Sequence, residues 1–206
     1  MDEAEPKVVL ASRSPRRVEL LTQFLAPLQL TFETVPADID ETPRRGENPE
    51  DYVRRCAVEK SLVVAKRLQD ANPSADFVVI GADTTVDVDD QIFGQPNDIA
   101  EAAEMLRQLS GRSHRVWTAV SIRHGDRHAE GVDCAMVTVV PIPQDLLTWY
   151  LTTGESLGKA GAYAAQGEGR RLVERIDGNL ETVIGLPLGM VAELGSRVGS
   201  SWNLGR

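Results

Sequence analysis

The stretch Phe77–Val88 (FVVIGADTTVDV) is the strongest indication of how this 206-residue chain folds. Its first four residues, Phe77–Ile80, are all apolar, which is typical of a strand buried on both faces. The strand is expected to end at Gly81–Thr85, and the chain to continue as Val86–Val88 to a turn at Asp89–Asp90. Ligand sites in open α/β sheets lie at the carboxyl ends of strands. Asp83 is therefore a candidate metal ligand or general base. The plainer alternative is a carboxylate that caps a turn.

A second strand–turn–helix unit opens the chain. Lys7–Ala11 (KVVLA) predicts a short buried strand, and a helix follows with Ser14 at the N-cap and Pro15 at its first position. The free N–H groups and the dipole at such a helix start favour an anion. The sequence places the cations Arg13, Arg16 and Arg17 there instead, so a negatively charged ligand is expected. A solvated arginine cluster is the alternative.

A long helix is predicted after Asn48–Pro49, and Lys60 falls inside its apolar stripe. An inward-facing lysine is rare unless it is paired. It either points into a cleft toward a phosphate or carboxylate, or packs its stem and leaves the ammonium in water. Methionine at this position is expected to preserve stability, because it suits the stripe. Glu41, in the polar loop 36–48, is a candidate second carboxylate.

The other segments complete an α/β pattern with an antiparallel part in the middle. Asp98 and Glu101 form a predicted capping box, and His124–Asp126 a predicted hairpin turn. Residues 167–169 are either a phosphate-binding nest or a plain turn. Further strands are expected at 29–35, 115–123, 129–140 and 171–176, helices at 144–152 and after Pro187, and a frayed tail at 196–206.

Composition excludes several classes of protein. The formal charge of −9 argues against a general nucleic-acid binder. No apolar run is long enough to span a bilayer, and the acidic start MDEAEP does not resemble a secretory signal. Cys56 and Cys134 form no disulfide framework, and a zinc site at His124, His128 and Cys134 is only weakly suggested by their spacing. A reduced, cytoplasmic protein with no membrane partner is expected.

Five segments in order resemble the Maf family of nucleotide pyrophosphatases, and the resemblance extends from about residue 7 to residue 194. It implies a single domain over 1–206, with an elongated mixed sheet, flanking helices and two lobes around a central cleft, similar to inosine-triphosphate pyrophosphatases and often dimeric. The segments are LASRSPRRVELL (10–21), GADTT (81–85), EAAEMLRQLSGRSH (101–114), GESLGKAGAYAAQG (154–167) and VIGLPL (183–188).

The resemblance also implies an activity: hydrolysis of a nucleoside triphosphate to the monophosphate and pyrophosphate with a divalent cation, Mg²⁺ or Mn²⁺. Asp83 matches the family's catalytic carboxylate and, with Glu41, the acidic metal site. Around the triphosphate the matching residues are Ser12, Arg16, Arg17 and Lys60. The branch acting on dTTP and UTP is matched by Arg16, Thr84 and Gln166.

One position departs from the family pattern. The usual lysine before the capping-box helix is Gln95 here, so a phosphate contact would lose its charge. Arg13, Arg112 or Arg115 are candidates to supply it. Two alternatives therefore stay open: a non-catalytic nucleotide-binding regulator of cell division, and a pyrophosphatase for 7-methyl-GTP or other purine nucleotides.

Overall fold

One mixed sheet of seven strands organises the part of the chain that the computed structural model describes, residues 6–200 and 202. The strand order is β2-β1-β3-β5-β6-β7, with β4 on β3. β2, β1 and β3 are parallel, whereas all other pairings are antiparallel, so the predicted α/β class with an antiparallel part is confirmed. The strands are β1 (Lys7–Leu10), β2 (Phe32–Thr34), β3 (Phe77–Val88), β4 (Gln91–Phe93), β5 (Ser113–His124), β6 (Arg127–Val139) and β7 (Val173–Asp177).

Helices flank this sheet. Within the described residues they are α1 (Pro15–Leu25), α2 (Pro49–Ala71), α3 (Ile99–Leu109), α4 (Gln144–Thr152), α5 (Leu180–Ile184) and α6 (Leu188–Arg197), with short 3₁₀ turns at Ala26–Leu28, Ala160–Ala162 and Gly167–Leu172. None of these helices has both the length and the apolar composition needed to cross a bilayer.

The predicted helix starts are largely confirmed. The Asp98 carboxylate accepts from the Glu101 N–H at 2.8 Å, but Glu101 in turn accepts from the Asn97 N–H, one residue outside a standard capping box. Ser14 occupies the N-cap of α1 and Pro15 its first position. The predicted N-cap position of Ser14 is confirmed, although its side chain makes no capping hydrogen bond.

Apolar side chains on both faces of the sheet form the core. α2 packs across β3 and β5, while α1 and α6 cover the opposite face beside Leu10 and Ile80. The approach of α2 to β3 requires glycine at position 81, because a Cβ there would lie 2.4 Å from the Ala57 carbonyl oxygen. This close contact brings Lys60 of α2 over the middle of β3.

The strand that carries Asp83 does not end at Gly81–Thr85, so that part of the prediction is wrong, whereas the predicted turn at Asp89–Asp90 is confirmed. β3 runs on to Val88, because β5 pairs with it from Val78 to Asp87. The parallel neighbour β1 stops beside Ile80. Asp83 therefore lies inside a strand, just beyond the carboxyl end of β1, and the alternative of a turn-capping carboxylate is also wrong.

Two other expectations need correction. The tail 196–206 is not frayed over its described part, since Trp202 is buried and packs edge-on against Phe24 with ring centroids 6.2 Å apart. Residues 201 and 203–206 lie outside the description. The second strand begins only at Phe32, because Gln29 adopts a left-handed conformation (φ 57°) after a 3₁₀ turn.

A buried histidine gives the fold a testable pH dependence. His114 is 3% exposed, its Nε2 lies 2.7 Å from the Tyr163 hydroxyl, and burial lowers its pKa to about 4. The unfolded chain takes up this proton near pH 6.5, so the free energy of unfolding should fall by about 3 kcal/mol as the pH drops from 6.5 to 4. Urea unfolding across this range measures the slope.

The control for this prediction is His114→Gln, which keeps a hydrogen-bonding side chain without the titration. The variant should have a flatter profile of stability against pH than the native chain. Equal slopes in the two proteins would mean that other groups cause the acid sensitivity.

Candidate active site

A central cleft of about 780 Å³ opens beyond the carboxyl end of β1. Its volume is in the range of small-molecule sites. The cleft brings together the residues that the family resemblance assigned to the site, whereas Arg112 and Arg115, the candidates for the missing charge, lie outside it. The residues that line the cleft are Ser12, Arg16, Arg17, Glu41, Lys60, Asp83, Thr84, Gln95 and Gln166.

A lysine bridges the two acidic residues of the cleft. Lys60 Nζ lies 2.6 Å from Asp83 Oδ1 and 3.1 Å from Glu41 Oε1. The side chains of Lys60 and Asp83 are only 10% and 7% exposed, so the alternative of a lysine with its ammonium in water is wrong. Burial raises the pKa of Asp83, and the charges of Lys60 and Arg17 oppose that shift.

Arg17 starts a chain of hydrogen bonds with a fixed direction. Its Nη2 lies 3.0 Å from Thr84 Oγ1, which lies 2.8 Å from Thr118 Oγ1. Thr118 donates its only hydroxyl proton to the Thr182 carbonyl oxygen at 2.7 Å. Thr84 must therefore donate to Thr118 and accept from Arg17. Both hydrogen-bonding roles of Thr84 are used inside the protein.

The arginines at the start of α1 behave differently from one another. Arg13 is exposed and pairs with Asp38 at 2.8 Å, as the solvated-cluster alternative predicts. Arg16 and Arg17 are half-buried and, within residues 6–200 and 202, have no carboxylate within ion-pair distance. Burial lowers the pKa of each arginine. For Arg17 the charge of Asp83 opposes that shift, and the charge of Arg16 adds to it. Their charge is left for an anion in the cleft.

The acidic pair suits a divalent cation only with help from a ligand. Asp83 Oδ2 is buried and has no hydrogen-bond partner among the described residues. Over that same part of the chain, no group of three or more His, Cys, Asp or Glu side chains could hold a metal ion. Magnesium is commonly bound by one or two carboxylates together with substrate phosphates. Asp83 and Glu41 fit that pattern.

The weakly suggested zinc site does not form. His128 Nε2 lies 3.0 Å from Ser121 Oγ, and His124 contacts the Asp76 carboxylate and the Val198 carbonyl. The cysteines Cys56 and Cys134 are both free thiols.

The Gly-rich segment 167–169 before β7 binds the side-chain carboxylate of Glu155. The backbone N–H groups of Glu168 and Gly169 donate to the Glu155 carboxylate at 3.1 and 3.0 Å. Neither predicted alternative describes residues 167–169 fully. The N–H groups bind an anion, as in a phosphate nest, but that anion is the protein's own Glu155 carboxylate. Glu155 thereby fixes the loop that carries Gln166.

Lys159 is a cation of the cleft that could not be identified from the sequence pattern. It lines the cleft, whereas Arg112 and Arg115 lie outside the lining and pair with aspartates of the β3–β4 turn region. Lys159 follows no helical or strand periodicity that would mark it. Its signals are that it is the single Lys or Arg in residues 153–169 and that it lies inside the family segment 154–167.

Comparison with known proteins places this architecture in a family. The family model described as Maf-like protein matches residues 7–198. The dTTP/UTP pyrophosphatase of Methylococcus capsulatus is 44% identical over 94% of this chain and 92% of its own length. That of Myxococcus xanthus is 45% identical over 97% and 96%, and that of Alcanivorax borkumensis 47% identical over 90% and 92%.

Among solved structures, a HAM1 protein from Coxiella burnetii overlaps 68% of this chain and 75% of its own, with a TM-score of 0.45 and 17% identity. A dITP/XTP pyrophosphatase from Mycobacterium abscessus overlaps 66% and 74%, with a TM-score of 0.41 and 17% identity. The family match covers almost the whole of the described chain, and the similar sequences extend over nearly their full lengths. The chain belongs to the Maf family.

Proposed function

We propose that this chain is a nucleoside triphosphate pyrophosphatase that converts dTTP and UTP to the monophosphate and pyrophosphate. The observation that carries the proposal is a buried carboxylate with an unpartnered oxygen, Asp83 Oδ2, in the same cleft as two arginines without carboxylate partners in the described chain. The full-length similarity to proteins named dTTP/UTP pyrophosphatase supports the substrate class.

The side chains of the cleft have separate roles in the proposed hydrolysis. Arg16 and Arg17 bind the triphosphate and neutralise the charge that develops on the leaving pyrophosphate. Ser12 Oγ accepts from the Ser14 N–H at 3.1 Å, which leaves its own proton free for a phosphate oxygen. Water attacks the α-phosphorus in this proposal, and its P–O bond to pyrophosphate breaks.

Asp83 is the proposed general base. Lys60 holds Oδ1, so Oδ2 is the atom free to orient water and take its proton. A buried carboxylate with a raised pKa is a stronger base than one in water. Lys60 keeps the carboxylate in place while its charge limits the rise in pKa.

A divalent cation, Mg²⁺ or Mn²⁺, completes the proposal. Asp83 and Glu41 would hold it together with phosphate oxygens, and when bound it supplies Lewis-acid neutralisation of the phosphate charge. The chain contributes two carboxylates kept close together by Lys60.

The base preference is assigned to Arg16, Thr84 and Gln166. Gln166 and Arg16 also line a second cavity of about 450 Å³ that adjoins the cleft. The Gln166 amide is exposed and offers both a donor and an acceptor, which suits the imide edge shared by thymine and uracil. Since the Thr84 hydroxyl is already used twice, Thr84 acts by positioning Arg17.

A substrate panel tests this function. Purified protein with Mg²⁺ should release pyrophosphate from dTTP and UTP faster than from GTP, ITP or 7-methyl-GTP. Faster purine turnover would overturn the assignment to the pyrimidine branch. Absence of pyrophosphate with every nucleotide would favour the non-catalytic regulator.

The proposal also covers the domain organisation, the cellular location and the partners of the chain. Residues 7–194 act as one catalytic unit with two lobes around the cleft, in the cytoplasm and with no nucleic-acid partner; a homodimer is the assembly that the family resemblance suggests for a test. The free thiols of Cys56 and Cys134 and the net charge of −9 support the location and the partner class.

A further inference from the structure

We propose that Lys159 is a triphosphate-binding cation of this cleft and replaces the charge that position 95 lacks, an inference that rests on the proposed function. Lys159 lies just before the 3₁₀ turn Ala160–Ala162 and lines both the central cleft and the adjoining cavity. Arg16 lines the same two cavities. The two cations therefore face a common space.

Lys159 makes no direct ion pair within the described residues. Its Nζ donates to the Glu155 carbonyl oxygen at 2.6 Å, and no carboxylate of the described residues lies within ion-pair distance of it. Burial and the nearby charge of Arg16 both lower its pKa, and the charge of Glu155 opposes that shift. Two positive groups held this close in a half-buried cleft are stabilised by an anion between them.

A backbone hydrogen bond ties the segment of Lys159 to the segment that carries position 95. The Gly161 N–H donates to the Gly94 carbonyl oxygen at 3.1 Å, which ties the two segments together. Gly161 has φ +68°, and a Cβ there would lie 2.8 Å from a methyl carbon of Val86 on β3. The segment of Lys159 is therefore packed against the central strand and tied to the residue before neutral Gln95.

Glu155 fixes the ammonium group from the other side. Its carboxylate holds the N–H groups of Glu168 and Gly169, and its carbonyl oxygen accepts from Lys159. An ammonium carries three N–H donors. One donor of Lys159 is used by Glu155, and the others remain for phosphate oxygens.

The other cations of the cleft do not balance the charge of a triphosphate. A nucleoside triphosphate carries about four negative charges near neutral pH. Lys60 is shared between two carboxylates and Arg13 pairs with Asp38, so neither is a free charge. Arg16 and Arg17 are free of carboxylate partners in the described chain, and Lys159 is a third such cation.

The test compares Lys159→Met with Lys159→Arg and with Lys66→Met, a control on the exposed side of α2. Lys159→Met should lower kcat/KM for dTTP by about 10- to 100-fold, because a hydrogen bond to a charged group is lost. Lys159→Arg should keep most of the activity, and Lys66→Met all of it. Calorimetric titration with dTTP should show a Kd for Lys159→Met raised by a similar factor.

Rescue from position 95 separates a binding role from a structural one. The double variant Lys159→Met/Gln95→Lys should recover several-fold of the lost kcat/KM, since the new lysine lies on the adjoining segment. Gln95→Lys alone should give a smaller gain. The inference is overturned if Lys159→Met stays within twofold of the native chain, or if neither Lys159→Arg nor Gln95→Lys restores activity and binding.

Turnover and binding also distinguish this inference from the proposed function. If the native chain binds dTTP without hydrolysing it, the pyrophosphatase assignment fails, and the Kd of Lys159→Met still decides the role of Lys159. If the native chain neither binds nor hydrolyses nucleotides, both proposals fail.

Discussion

Replacing Asp83 with asparagine should nearly abolish pyrophosphate release, with a fall of about 10²- to 10⁴-fold in kcat. The amide cannot take a proton from water at Oδ2, the oxygen that has no partner in the described structure. Because the substitution preserves shape, KM for dTTP should change far less than kcat. Steady-state kinetics with dTTP measure both constants.

The matched control is Asp70→Asn, an exposed aspartate near the end of α2. It should have native kinetics. Asp83→Asn should still unfold cooperatively, since Glu41 remains as a partner for Lys60. A folded Asp83→Asn protein that kept half of the native kcat would remove Asp83 from the role of general base.

Replacing Lys60 with methionine should destabilise the protein by about 3–5 kcal/mol as well as lower its activity. This reverses the expectation from the apolar stripe that methionine would be tolerated. The reason is the 2.6 Å ion pair, because its loss leaves the carboxylate of Asp83 buried without its main partner. Urea unfolding at pH 8 measures the free-energy change.

The source of that loss can be isolated in two ways. The double variant Lys60→Met/Asp83→Asn should recover most of the stability, because the buried charge is gone. Lowering the pH should also reduce the penalty in Lys60→Met, because the raised pKa of Asp83 favours its neutral form in the folded state. Lys60→Met unfolding at the same urea concentration as the native chain would show that the pair does not stabilise the fold.

Much of the fold and the membership of the site could be predicted from the sequence, because the relevant signals are local. The apolar run Phe77–Ile80, the Pro15 helix start and the Asp98 cap each depend on a few neighbouring residues. The five family segments then nominated residues from distant parts of the chain, and these residues line one cleft.

The remaining features depend on contacts between distant segments. The continuation of β3 past Gly81 follows from pairing with β5, and the close passage of α2 follows from the missing Cβ at Gly81. The cation Lys159 reaches the cleft because its loop is tied to Glu155 and Gly94. No periodic pattern in the sequence encodes such contacts.

Hydrolysis of dTTP in ¹⁸O-labelled water tests most directly whether this cleft directs water to the α-phosphorus. Mass spectrometry of the products should find one labelled oxygen in dTMP and none in pyrophosphate. Label in pyrophosphate would mean attack on the β-phosphorus, and release of labelled orthophosphate with dTDP would mean a different reaction; either result would contradict the proposed chemistry of Asp83.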